Sequence, residues 1–290
     1  KPPGRLFVSG GSGVYRPDTW KVNQNHLHYQ APAGKLNFHR NCFSATFQIT
    51  DAKAQAIIVP QSRFISVKSS VKIGQKQIWS MRPGAGDGEL VLRGTIKTAS
   101  PYPLYVPAND PPMLFARTLA DRLVAAGVPF EDKMIKSMDL SRIDRKGAKP
   151  VCTTTTPLTR AMKRANRDSL NMAAECFLLR AGDGTWAGSA EIMTKTLTKA
   201  FKLSADSLVV SDGSGLARKN RVSPATMTKL LAGIAGRKDA SVLTDTLARA
   251  GIDGTLQKRM TGPPCRGRII GKTGYILKVS CLSGYVLDKT

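Results

Sequence analysis

Three short stretches of this 290-residue chain hold side chains that could act together. Lys272-Thr273-Gly274 lies in IIGKTGYI, whose β-branched and apolar neighbours predict a strand; Val279 to Val286 predicts a second, with a turn around Leu277 and Lys278. Lysine in such a strand can simply blunt an exposed edge. Beside a threonine hydroxyl, and a glycine that lets another backbone approach, it can also receive an extended peptide as an added strand and hold its terminal carboxylate. Ser169-Leu170-Asn171 stands in RANRDSLNMAAE, where the spacing alone fits a cap at a helix start. Asp212-Gly-Ser-Gly-Leu-Ala-Arg218 reads as a tight glycine turn.

These stretches sit in the second of two differently patterned regions. From Leu6 to about Thr98 the chain reads as strands and turns, with period-two runs such as RFISVKSSVKI and ELVLRGTIKT. A proline-rich connector from Ser100 to Pro112 leads to a helix. Its apolar face is Phe115, Leu119 and Leu123 beside Ala116, Ala120 and Val124, and Gly127 stops it. The polar stretch DLSRIDRKGAKP, 139–150, reads as a linker. Beyond it Leu158, Met162, Ala165, Ser169, Met172, Cys176 and Leu179 recur in steps of three and four. That pattern fits one helix, or two joined near residue 168, with Ser169 facing inward. A helix over Trp186 to Lys202 follows, then a strand, the glycine turn and a helix capped by Ser223 with Pro224 in its first turn.

Net charge is +24, from 44 Lys and Arg against 20 Asp and Glu, which raises nucleic acid as a partner. The charge is spread along all thirds of the chain, and zinc-finger spacing, aromatic RNA-binding signatures and basic heptads are missing from the sequence. A diffuse basic surface suits polyanionic surroundings, a carboxylate-rich cell wall included, better than specific nucleic-acid binding. No run of eighteen apolar residues predicts a transmembrane segment. The five cysteines form no CxxC pair and no zinc-ligand rhythm; Cys176 and Cys281 fall in apolar patterns as expected core residues. His26 and His28 are placed to share one strand face, and with His39 they make a poor metal site. No metal and no cofactor is expected.

The set S-x-x-K, S-x-N and K-T-G serves penicillin-binding proteins and related β-lactamases, and the last two strings stand here in that order. The stretches GKLNFHRNCFS (34–44), PPMLFARTLADRLVAAGV (111–128), RANRDSLNMAAE, SDGSGLARKNRVSPATM (211–227), GIDGTLQKRMTG (251–262) and GRIIGKTGY with LSGYV resemble the class C low-molecular-mass penicillin-binding proteins. These are the D-alanyl-D-alanine carboxypeptidases/endopeptidases of the cell wall. The resemblance implies an α+β fold: a DD-peptidase/β-lactamase-like domain, an antiparallel sheet with flanking helices, here partial. A strand-rich inserted domain, 1–150, with one helix near 112–126, precedes the C-terminal part of the transpeptidase-like domain, 151–290.

It further implies a serine acyl-enzyme acting on D-Ala-D-Ala peptides of peptidoglycan, sensitive to β-lactam antibiotics, and an extracytoplasmic location such as the periplasm. Ser169 would relay a proton, Asn171 would hydrogen-bond the substrate amide, and Lys272, Thr273 and Gly274 would seat the carboxylate. Asp212, Ser214 and Arg218 would support the site. The chain departs from the family pattern at Tyr275, where a small hydroxyl residue is usual, and at Ala217, where serine is usual.

The nucleophile is the largest departure. The one S-x-x-K string, Ser69 to Lys72, falls where Ile65, Val67, Ser69, Val71 and Ile73 share a strand face, so Lys72 points away from Ser69 and Ser69 is rejected. With Lys1 in place of methionine and no apolar leader, the sequence is expected to be the later portion of such an enzyme, without the nucleophile segment. A pseudo-enzyme that binds wall peptides, and a basic polyanion-binding protein, are the competing expectations. The sequence is silent on oligomeric state.

Overall fold

The computed structural model describes residues 4–9, 16–86, 88–128, 130–138, 144, 146–147, 149–204 and 206–288. Most of the stretch expected as a linker, 139–150, and the first three residues lie outside them. Two compact units form: Lys1–Arg16 with Lys21–Ala148, and Pro17–Trp20 with Lys149–Thr290.

The first unit is strand-rich. It runs β1 (Gly4–Val8), β2 (Cys42–Thr50), β3 (Lys53–Val59), β4 (Ser66–Ile73), β5 (Ile78–Pro83), β6 (Glu89–Ile96), β7 (Ser100–Pro107), α1 (Pro111–Ala125) and β8 (Phe130–Ser137). Two three-stranded sheets, β3-β2-β7 and β4-β6-β5, carry its main core, and β1 pairs with β8 in parallel. The cause is the period-two pattern. Phe43, Ala45 and Phe47 of β2 and Leu90, Leu92 and Ile96 of β6 turn one face inward, where Phe47 meets Trp79 edge to face at 4.7 Å. Helix α1 starts where the Asp110 carboxylate accepts the Met113 N–H at 2.9 Å, with Pro111 and Pro112 in its first turn.

Some expectations are corrected here. In α1 the expected Ala116 and Ala120 are buried against Val8 and Ile135, but Val124 is exposed and Leu114, outside the expected face, is buried in the main core on another side of the helix. His26 and His28 share no strand face, because the chain turns through short 3-10 segments at 22–24 and 28–30.

The second unit is mainly helical. After α2 (Leu158–Asn166), α3 (Asn171–Ala181) and α4 (Trp186–Phe201) come the two-residue strands β9 (Leu208–Val209) and β10 (Arg221–Val222). Then follow α5 (Pro224–Ala235), the single turn α6 (Ser241–Thr244), β11 (Ala248–Arg249), β12 (Ile269–Ile276) and β13 (Val279–Val286). Strands β11-β12-β13 form an antiparallel sheet in which Lys272 pairs with Ser283 and Gly274 with Cys281. Of the cysteines, Cys42 is buried, Cys176 is half-buried and Cys281 is exposed, so the core place expected for Cys281 is not found; β13 is solvent-facing over its first four residues. Residues 17–20 belong to this unit because Trp20 is buried in it, its indole N–H donating to the Asp212 carboxylate at 2.9 Å.

Leu92→Ala should destabilise the strand-rich unit by about 3 kcal/mol, since a fully buried leucine leaves a cavity that a two-sided core cannot close. Urea denaturation followed by circular dichroism checks this; a loss below about 1 kcal/mol would mean that β6 is not the centre of the core.

Candidate functional site

The candidate site begins where two helices fail to merge. The helical pattern across residues 158 to 179 is broken at 167–170 because Ser169 takes a left-handed conformation, φ +55°, which costs a serine about 1 kcal/mol. Leu170, not Ser169, is the N-cap of α3, and it makes no side-chain cap. The Ser169 hydroxyl is therefore spent elsewhere: its Oγ accepts a hydrogen bond of 2.8 Å from Nζ of Lys272 on β12. Two of the residues singled out in the sequence are thus in contact across 103 positions, and Asn171 opens the helix that follows.

Lys272 is half-buried, and desolvation holds its ammonium below the ordinary lysine range, with a small opposing effect of Cys281. Its Nζ donates also to the Thr273 carbonyl. An ammonium has three N–H donors, so one remains for a ligand. Thr273 Oγ1 donates to Oγ1 of Thr255, in the 3-10 turn 254–256, at 2.9 Å. The backbone N–H of Thr255 donates in turn to the Arg167 carbonyl just before Ser169, so the helix junction and strand β12 are tied through one turn. Gly274 has a different role from that expected of it: the space a side chain would take is filled by the Cys281 thiol, 2.5 Å from an added Cβ, not left open to another backbone.

The glycine loop 212–218 is held by two buried carboxylates. Asp212 accepts from Trp20 Nε1, from the backbone N–H of Gly215 at 2.7 Å and Ala217 at 2.6 Å, and from Asn220 Nδ2 at 2.7 Å. Glu175, fully buried in α3 one turn after Asn171, accepts from Gly213 N–H at 3.0 Å, Ser214 N–H at 2.8 Å and Trp186 Nε1 at 2.8 Å. A Cβ at Gly213 would stand 2.3 Å from the Ala174 carbonyl, so only glycine lets the loop lie this close to α3. Burial first, and then the Asp212 charge, push the Glu175 carboxyl above its usual range. Arg218 carries the loop onward, donating from Nη2 to the Leu277 carbonyl at the β12–β13 turn, 2.9 Å away.

Of the residues that depart from the expected pattern, Ala217 is buried and donates its N–H to Asp212, whereas Tyr275 is 80% exposed. Ser69 lies in the middle of β4, and Lys72 three positions on alternates to the other face of that strand. Among the described residues no group of three His, Cys, Asp or Glu is arranged to hold a metal ion.

Sequence reading missed Glu175 and Thr255. An acidic residue inside the apolar run Met172 to Leu179 was the available signal for the first. For Thr255 nothing in the sequence pointed to a partner on β12.

A mixed α/β chain with an antiparallel sheet, flanking helices and this serine–lysine contact has the DD-peptidase fold. It matches the crystal structure of penicillin binding protein 4 (dacB) from Haemophilus influenzae with a TM-score of 0.66 and 21% identity, over 95% of this chain and 63% of that one. Residues 9–290 match the profile of the D-Ala-D-Ala carboxypeptidase 3 (S13) family, and the chain belongs to that family. It is 24% identical over 283 residues to the D-alanyl-D-alanine carboxypeptidase DacB of Haemophilus influenzae, covering 93% of this chain and 58% of that protein. Over 111 residues it is 36% identical to a D-alanyl-D-alanine carboxypeptidase of Actinomadura, covering 37% of this chain and 20% of that one. The chain thus spans less than two thirds of the length of these relatives.

Glu175 sets a pH dependence. Its carboxyl is raised in the folded state, so its contribution to stability is fully present below the ordinary value of 4.5 and is lost as pH rises through the folded value. Glu175→Gln should remove that slope and, where the ionised carboxylate would accept from every N–H around it, leave one donor facing an amide NH2 at a cost of about 2 kcal/mol toward pH 8. Chemical denaturation from pH 4 to 8 checks both; an unchanged slope in the variant would assign the pH dependence to another group.

Proposed function

We propose that this chain carries the substrate-holding part of a serine D-alanyl-D-alanine carboxypeptidase or endopeptidase, acting on peptidoglycan stem peptides outside the cytoplasm, in the periplasm. The observation that supports this reading is the 2.8 Å contact of Lys272 Nζ with Ser169 Oγ, made by the two motifs of a chain that belongs to the family.

An acyl-transfer site of this kind needs a proton path to the leaving amine and a cation for the peptide's terminal carboxylate, and here neither task falls to histidine. In this reading the remaining N–H of Lys272 takes the carboxylate of the final D-Ala, together with the Thr273 hydroxyl once that turns its one proton from Thr255 to the ligand. Ser169 accepts from the lysine and donates its own proton toward the amide nitrogen as the D-Ala–D-Ala bond breaks, while Asn171 bonds the preceding peptide amide. Desolvation of Lys272 favours the exchange, because a less tightly held proton passes more easily to the hydroxyl. The Glu175–Asp212 loop and Arg218 hold these groups in place without reacting. The acylated serine has no candidate within these 290 residues in this reading, since the one S-x-x-K string lies in strand β4.

Lys272→Ala should weaken binding of a short peptide ending in D-Ala-D-Ala by about 2 kcal/mol, roughly thirtyfold, in calorimetric titration of this chain. Unchanged affinity would remove Lys272 from the carboxylate seat. Incubation with a fluorescent penicillin, followed by intact-mass analysis, should give no adduct on Ser69; a covalent mass mapped to Ser69 would restore it as the nucleophile.

A further inference from the structure

The strand-rich unit contains a cluster of two arginines and a histidine that the peptidase reading leaves unused. The core lies on one face of the β3-β2-β7 sheet, and Cys42, Ser44 and the paired Tyr105 belong to the other. Over that second face the chain brings three basic side chains together. Arg40 places its guanidinium 5.0 Å from the centre of the Tyr105 ring, and His28 lies tilted at 6.3 Å from Tyr105 and edge-on at 5.8 Å from Tyr29. Arg16 is half-buried and donates from Nε to the Gln30 carbonyl at 2.8 Å and from Nη2 to the Asn25 carbonyl at 3.3 Å. Both guanidiniums act on the buried Cys42 thiol, whose pKa desolvation nonetheless pushes up to about 12, so it supplies no balancing charge at neutral pH.

Among the described residues no carboxylate pairs with Arg16, His28 or Arg40. Half-buried positive charge without a counter-charge is costly, and proteins normally supply one. The backbone at this place is also strained. His39, Arg40 and Asn41 are three consecutive non-glycine residues in the left-handed region, φ 50°, 59° and 54°, at about 1 kcal/mol each. Asn41 holds them there: its side chain donates to the Pro32 carbonyl and accepts the Phe38 N–H, both at 2.8 Å, and its own carbonyl accepts the Ala108 N–H. Strain fixed this firmly aims a side chain, and the one aimed over Tyr105 is Arg40. Nearby, Oε1 of the buried Gln30 is an acceptor with no partner.

We propose that Arg16, His28 and Arg40 form an oxyanion site for a phosphoryl group, either free phosphate or the phosphate of a sugar. Arg40 meets Tyr105 through its ring face and makes no hydrogen bond among the described residues, so its planar fork is open to a ligand. Arg16 keeps Nη1, and His28, which is exposed, offers a ring N–H. Three donors on separate side chains match the three free oxygens of a tetrahedral phosphoryl group better than the two of a planar carboxylate. A sugar attached to it would bring hydroxyl donors toward Gln30 and a face for Tyr29.

Calorimetric titration of the full 290-residue chain at fixed ionic strength, with inorganic phosphate, glucosamine 6-phosphate and acetate, tests the site. Saturable binding of the phosphates is expected. Arg40→Gln should weaken it about tenfold, while Arg93→Gln, which removes one charge from the exposed face of β6, changes it less than about twofold. If Arg40→Gln lost its folded circular dichroism, His28→Gln, with about a threefold loss, would carry the same test. Glucosamine 6-phosphate binding tenfold tighter than phosphate supports the sugar-borne form of the ligand, and equal affinities support the free ion. The proposal fails if neither phosphate binds, if acetate binds as well as phosphate, or if Arg93→Gln costs as much as Arg40→Gln.

Discussion

A carboxylate can be buried only if N–H donors surround it, and the helical unit is built on two that meet this condition. Glu175 and Asp212 between them accept from two indoles, one asparagine amide and four backbone N–H groups, these four all from one glycine loop. The helix carrying Glu175 begins at Asn171, two residues after Ser169. The loop carrying Asp212 ends at Arg218, which holds the β12–β13 turn beyond Lys272. The serine and the lysine thus meet because each is rooted, within a few residues, in the same polar knot. Removing one donor would leave a charge stranded in the interior, which is why the knot acts as a unit and not as a set of separate bonds.

The fold was legible wherever a single period ruled. Alternation in ELVLRGTI turns Leu90 and Leu92 inward, and Ser223 with Pro224 marks the start of α5, so these elements could be read directly. Reading failed where packing overrode pattern. In α1 the expected face held Phe115, Leu119 and Leu123 beside Ala116, Ala120 and Val124; the two alanines are buried deepest, against β1 and β8, while Val124 at the end of the helix is exposed. Cys281 looked like a core residue by its apolar neighbours, but that part of β13 is exposed.

The site was legible as motifs and not as contacts. Ser169, Asn171 and Lys272 stood out through the family resemblance of the stretches around them, but the contact of Ser169 with Lys272 depends on a left-handed serine and on Thr255, whose partner is 18 positions away on another element. The junction between α2 and α3 shows how such information hides. A run of threes and fours is equally good for one helix or two, and the choice is made by a backbone angle at one residue that propensity scales do not record.

The chain has three tryptophans, and their placement gives the molecule built-in optical probes. Trp79 lies edge-on to Phe47 in the strand-rich core, whereas Trp20 and Trp186 each donate an indole N–H to a carboxylate of the polar knot. A negative charge at the pyrrole end of an indole favours the shift of electron density toward the benzene ring on excitation, so an ionised carboxylate there displaces the emission to longer wavelength. Replacing Trp79 by phenylalanine would leave a protein whose ultraviolet fluorescence comes from the knot alone. Its colour would then follow the state of the glycine loop in real time, without an attached dye.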